Sequence, residues 1–313
     1  MVCGARSMKR SLFMRSAGPS ARLLRAEALT AYLLSLPAFL LMWAMLLGPA
    51  VSVVLLSFTD WNFGEASLRW AGLDNYIELW GDRVFWISLK NTIIYVGISV
   101  PATVLLGLLA ALLIESVSHG RAFYRAAFFL PVASTLLAMA LVWEFMFHPT
   151  VGFINQLFRA LGLPTADWLQ NPDTALFALI AIGVWQNLGL AMILFMAGLK
   201  AIPKDLYEAL GMDGADGAWE RFRRVTWPML GPSLVFVVAI TAIRSFQVFD
   251  TVAVLTEGGP SKATEVLLYT MVQQGFTFLR SSYGAAITVI FLILTLCLTM
   301  LQTVALDRRA HYG

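Results

Sequence analysis

Six apolar runs, each near or above the length of a membrane crossing, limit what this chain can fold into more than any motif in it. They fall at residues 29–58, 91–114, 126–147, 174–198, 231–255 and 283–306. A helix needs about 20 apolar residues to cross a hydrocarbon core ~30 Å thick. Inside that core only helices and closed barrels satisfy all their backbone polar groups, and unalternating runs of this length read as helices. The pattern predicts an all-α polytopic membrane protein with six transmembrane helices. Composition agrees: 59% of the residues are hydrophobic and 13% charged, against roughly a quarter charged in a soluble chain. The first run is too long for a signal peptide, lacks a small-residue cleavage site, and is followed by Trp61 and Trp70 as interface anchors.

Basic residues orient the six crossings. Arg6, Lys9, Arg10, Arg15, Arg22, Arg25, Arg121, Arg125, Lys200, Lys204, Arg221, Arg223, Arg224, Arg308 and Arg309 fall on one face. The other face receives only Arg69, Arg83, Lys90, Arg159, Lys262 and Arg280. The excess predicts that both termini and the polar loop between the fourth and fifth runs are cytoplasmic. A net charge of +3, with the basic residues flanking apolar runs, gives no footprint for nucleic acid. Cys3 and Cys297 have neither metal nor disulfide spacing, and His119, His148 and His311 fall in separate loops or tails. No P-loop, H-E-x-x-H, G-x-S-x-G or C-x-x-C occurs, so neither catalysis nor a bound cofactor is implied.

The most polar segment between two apolar runs is 201–230. It is patterned rather than loose. Ile202, Leu206, Ala209 and Leu210 recur at helical spacing, with Lys204, Asp205 and Glu208 off that stripe. Pro203 suits a first turn, and Asp205 places negative charge at the helix's positive end. Asp213-Gly214 and Gly217 form a turn. A second short helix then carries Trp219, Phe222 and Val225 inward, pairs Glu220 with Arg224 at i,i+4, and ends at Pro228. A compact helix–turn–helix on one side of a bilayer is an object that a partner can grip.

Glu208-Ala209-Leu210, Asp213-Gly214-Ala215 and Val225-Thr226-Trp227-Pro228 together resemble the EAA loop of bacterial ABC-importer permeases of the carbohydrate type, the sugar and glycerol-phosphate permeases. Leu210 stands where a second alanine is usual and Trp227 where leucine is usual. Ten residues rather than nine separate Gly214 from Val225, the extra one being placed in the Asp216-Gly217 turn. The likeness runs along most of the chain. It includes 71–76 (AGLDNY), Leu130-Pro131 with Trp143, 148–155 (HPTVGFIN), Trp185 and Gly189, 197–203, and 246–250 (FQVFD) followed by 255–260 (LTEGGP).

The resemblance implies a type I ABC importer permease fold with cytoplasmic termini, in a bacterial inner membrane. Its parts would be a cytoplasmic tail (1–28), a first transmembrane helix (29–58), a periplasmic segment (59–90), a five-helix core (91–306) holding the coupling loop 199–230, and a tail (307–313). Glu208, Ala209, Leu210, Asp213, Gly214, Ala215 and Pro228 would couple the chain to a separate ATPase. The implied partners are a second permease subunit, two ATPase subunits and an extracytoplasmic solute-binding protein, besides membrane lipid.

Two polar clusters interrupt the apolar runs. Burying a charge at mid-bilayer costs at least ~2.5–3.5 kcal/mol, so such residues face a cavity or a partner. Arg244, Gln247 and Asp250 follow one another at i+3, near one helix face. They read either as a polar wall along a substrate path or as an internal network that snorkels near the end of the run. Trp185-Gln186-Asn187 in the fourth run reads either as a sugar contact, aromatic ring with neutral amides, or as amide glue between helices. With Arg244 as the one cation well inside a run, a neutral sugar or polyol is favoured over glycerol phosphate or another phosphorylated polyol. A self-contained secondary transporter would be expected to show intramembrane carboxylates or internal repeats; Asp250 alone is clearly inside, with no convincing repeat.

Overall fold

The computed structural model describes residues 21–212, 214 and 217–307. Among them every regular element is helical, and the single strand-like feature is an isolated bridge between Thr59 and Trp70. The chain divides into two units at Ser52/Val53.

The first unit holds α1 (Ala21–Met42), a π-turn (Trp43–Leu47) and the start of α2 (Gly48–Leu56). Tyr32, Leu33, Leu34, Phe39, Leu40 and Met45 are all exposed on it. A helix apolar on every side belongs in lipid. The π-turn ends two residues before Pro49. Proline lacks an N–H and its ring collides with the carbonyl four residues back. Widening the preceding turn, so that Gly48 N–H reaches Trp43 O, lets the helix continue past it.

The second unit is built on α4 (Arg83–Ser116), α8 (Ala175–Ala201), α12 (Gly231–Phe246) and α15 (Ser281–Asp307). Before them comes α3 (Asp74–Gly81), and between them α5 (Arg121–Ala133), α6 (Leu136–Met146), α7 (Phe153–Ala160), α9 (Lys204–Met212), α10 (Ala218–Arg221), α11 (Trp227–Met229), α13 (Asp250–Leu255) and α14 (Leu267–Val272). Its largest core joins Val104, Leu108 and Ala111 of α4 to Ala191, Met192 and Phe195 of α8 and Val237 of α12. Lipid gives no hydrophobic drive for helices to associate, so close contact through small residues does this work. A β-carbon on Gly107 would lie 2.6 Å from Ala191 Cβ, and one on Gly198 2.2 Å from Ser233 Oγ.

Among the described residues five helices are long and apolar enough to cross a membrane, or six with one bent pair counted as a span. The expected run 126–147 is therefore not one straight helix. Arg121–Ala133 and Ala138–Met146 meet at 103°, just after Pro131. The run 231–255 has its expected ends but is interrupted at 247–249, between α12 and α13. The run 91–114 starts earlier, at Arg83, because Asp82 Oδ1 caps the helix by accepting Val84 N–H at 2.7 Å.

The 256–266 segment is pinned to α4. Asn91 Nδ2 donates to Lys262 O at 3.1 Å and Glu265 O at 2.9 Å, and Leu267 N–H donates to Thr92 Oγ1 at 2.9 Å. The buried Glu265 carboxylate is satisfied by Lys262 Nζ at 3.0 Å and Thr270 Oγ1 at 3.1 Å. Asn91→Ala would leave two carbonyls without that donor. It is expected to lower stability by ~2 kcal/mol, read by thermal unfolding in detergent.

Candidate functional site

The polar segment after α8 folds into a knob set on three long helices. Ile202, Leu210 and Val225 are buried in the same core as Ile114 of α4, Met196 of α8 and Val237 of α12. Tyr207 packs on that core, and its hydroxyl meets Thr226 Oγ1 at 3.0 Å, tying α9 to the second half of the knob. Gly214 has φ +76°, a left-handed conformation that turns the chain after α9, and its N–H reaches Gly211 O at 3.1 Å. Glu208 and Ala209 point to solvent, and Glu208 has no ion-pair or hydrogen-bond partner among the described residues. Asp213 and Ala215 lie outside the described residues.

Two expectations for this segment are corrected. Of the stripe Ile202, Leu206, Ala209 and Leu210, only Ile202 and Leu210 are buried, and Tyr207 takes the inner position between them. Trp219 faces out, 70% exposed, stacked on Phe222 at 5.8 Å. The second helix ends as expected beside Pro228, at Met229. A π-turn (Phe222–Thr226) precedes the proline at the same spacing as the one before Pro49, Trp227 N–H bonds Phe222 O, and Leu230 is a turn residue between α11 and α12. That π-turn explains Trp219, because one extra residue rotates everything before it by about 100° relative to Val225. Around it Trp219, Glu220, Arg223 and Arg224 line an open concavity of about 480 Å³.

The second cluster lies where α12 breaks. Gln247 closes α12, residues 248–249 are not helical, and Asp250 opens α13. Arg244, Gln247 and Asp250 therefore do not share one helix face. They nevertheless line one cavity of about 200 Å³, together with Gln186 and Asn187 of α8 and Tyr95 of α4. No hydrogen bond or ion pair joins Arg244 to Asp250, so the internal network read from the sequence does not form among the described residues. Asn187 Nδ2 donates to Gly183 O at 2.9 Å within its own helix. Trp185 does not line the cavity; it packs edge-on against Trp143 at 5.2 Å. Met192 and Met196 are buried in the core.

Tyr95 and Tyr207 are the positions that sequence reasoning missed. Tyr95 is a tyrosine inside an apolar run, a polar tip that needs a place, which is the available signal; Tyr207, between Asp205 and Glu208, offers none. Tyr95 projects towards α8, where a β-carbon on Gly183 would lie 2.0 Å from its hydroxyl oxygen.

Residues 91–312 match the family model described as binding-protein-dependent transport system inner membrane component. The chain is 33% identical over 278 residues to the trehalose/maltose transport system permease protein MalF of Thermococcus litoralis, covering 88% of this chain and 92% of that one. It is 32% identical over 285 residues to the sn-glycerol-3-phosphate transport system permease protein UgpA of Agrobacterium fabrum, covering 90% and 96%. The fold is also that of a chain in the crystal structure of a bacterial ABC transporter involved in the import of the acidic polysaccharide alginate. The TM-score there is 0.79 at 21% identity, covering 92% of this chain and 99% of that chain.

Proposed function

Because this chain belongs to the family of binding-protein-dependent transport system inner membrane components, we propose that it is the permease subunit of an ATP-driven importer for a sugar or polyol. The observation that carries this reading is the knob 202–230: an exposed polar surface seated on the ends of three long apolar helices. Glu208, Ala209, Leu210, Asp213, Gly214, Ala215 and Pro228 form the coupling loop in this reading, on the cytoplasmic face with both termini. A second permease subunit, two ATPase subunits and an extracytoplasmic binding protein complete the machine in a bacterial inner membrane. ATP hydrolysis belongs to the ATPase subunits, not to this chain. The self-contained secondary transporter weighed from the sequence is not supported, since the family is one of binding-protein-dependent systems.

The cavity at the α12–α13 break is this chain's wall of the substrate path. Discontinuous helices with polar linings are where transporters hold cargo near mid-bilayer. Gln186, Asn187, Gln247 and the Tyr95 hydroxyl suit a polyhydroxylated ligand, and Trp185 stiffens that wall from behind through Trp143. A phosphorylated polyol is the second reading, favoured by Arg244, which has no ion-pair partner among the described residues, and by the likeness to the glycerol-phosphate permease. Asp250 in the same lining weighs for the neutral cargo. Arg244→Ala is expected to slow uptake by about tenfold or more, since one hydrogen bond to a charged group is worth ~1.5–3 kcal/mol, and Gln247→Ala by about threefold or more, at ~0.5–1.5 kcal/mol for a neutral one, both with basal ATP hydrolysis unchanged. Uptake by proteoliposomes holding the assembled transporter measures this. Unchanged uptake in both variants would remove the cavity from the path.

A further inference from the structure

At the end of α4 remote from the knob, α3 carries apolar side chains on two faces. Inward, Leu79 is buried with Phe85, Leu267, Tyr283 and Ile287. Polar contacts fix the helix in that pose. Asn75 Nδ2 donates to Ser57 O at 2.9 Å and Thr59 O at 2.7 Å, the Tyr76 and Ser57 hydroxyls meet at 2.7 Å, and Glu78 pairs with Arg280 at 2.5 Å. Outward, Leu73, Ile77 and Trp80 recur at i, i+4 and i+7 and are 61%, 69% and 73% exposed. Next to the clamp, Phe278 and Leu279 are exposed too, and Phe63, itself exposed, bonds through its N–H to Leu279 O at 3.4 Å. Leu279 has φ +57°, a left-handed backbone that a β-carbon disfavours. It is held there by Arg280 N–H on Gln274 O at 2.9 Å and Phe278 N–H on Gln273 O at 2.8 Å.

The level of this rim follows from its partners. Tyr283 and Ile287 lie in the first two turns of α15, inside the apolar span Ser281–Gln302. Leu79 therefore sets α3 beside the end of a span, not above it. The charged neighbours Glu78 and Arg280 neutralise each other off the outward stripe. Trp61, Trp70, Trp80 and Trp86 put four of the ten tryptophans in this region, the residue type that gathers at headgroup level. A stripe that is apolar, uncharged, aromatic and level with a span end fits lipid better than water.

We propose that α3 and the 276–279 turn form a collar lying in the boundary between headgroups and acyl chains, with Leu73, Ile77 and Trp80 immersed in lipid. The collar needs only that α15 crosses the bilayer, so it can fail without the transport reading failing. The test uses the assembled transporter in lipid nanodiscs, with Cys3 and Cys297 replaced by serine. Nitroxide labels are placed singly through Ile77→Cys and Trp80→Cys, and through Glu65→Cys, an exposed loop position, as the aqueous reference. Collision rates with oxygen and with a water-soluble nickel chelate are compared. The collar predicts an oxygen-to-nickel ratio several-fold higher at 77 and 80 than at 65, unchanged when a binding protein is added. Ratios equal to the reference would overturn it. So would protection from both reagents, or protection appearing only with the binding protein, because either makes this face a protein contact.

Discussion

Glu208→Arg and Gly214→Pro are each expected to cut substrate-stimulated ATP hydrolysis by the assembled transporter by tenfold or more, with the amount of chain in the membrane unchanged. The two act differently. Glu208 is exposed and unpartnered among the described residues, so reversing its charge leaves the knob folded and presents a cation where the partner meets an anion. Like charges brought together at an interface cost several kcal/mol. Gly214 holds φ +76°, and nothing lies within 4 Å of the place where a β-carbon would stand. Its substitution fails through backbone torsion alone. Proline fixes φ near −65° and cannot make the turn, whereas alanine adopts it at a cost of about 1–2 kcal/mol and should leave coupling reduced but measurable. Steady-state hydrolysis in proteoliposomes, with and without loaded binding protein, gives the readout. Full stimulation in both Glu208→Arg and Gly214→Pro would show that force does not enter through this knob.

Gly189→Val is expected to destabilise the chain by ~3 kcal/mol, the upper end for overpacking a well-filled core. A β-carbon at Gly189 would lie 2.0 Å from the Phe128 carbonyl oxygen and 2.8 Å from its carbon. Both are backbone atoms, so no rotamer change relieves the collision and α5 has to move off α8. Gly97→Ala is the matched control, because no atom lies within 4 Å of its β-carbon position and alanine favours a helix over glycine by ~1 kcal/mol. Thermal unfolding of the purified chain should fall for the first and hold or rise for the second.

What could be read in the sequence was set by how local the cause is. Hydropathy is local, and it placed both ends of the span 231–255 where the structure has them. The break inside that span left no trace, because 247–249 contains neither glycine nor proline. Arg244, Gln247 and Asp250 were read together as one helix face, yet they meet across a gap because α4 and α8 close the cavity from the other side. Pro131 announces a disturbance in the third run, but the 103° bend also depends on α5 being held against α8 at Gly189, far away in sequence. Counting turns of 3.6 residues places Trp219 inward, and the π-turn at Phe222–Thr226 breaks that count. A proline two residues past a helical turn, as at Pro49 and Pro228, is the pattern that would have given warning.

The way the chain passes Pro228 governs where strain can go. Residues 231–246 form a rod of roughly 24 Å at 1.5 Å per residue, joined to the helix that holds Pro228 through one turn residue, Leu230. Torque applied to the indole of Trp219 reaches that rod through Leu230, which is buried at 1% exposure and so leaves little slack. The next joint it meets is 247–249, so a twist given at one surface is delivered as a change of angle between Arg244 and Asp250, the two charges flanking that joint.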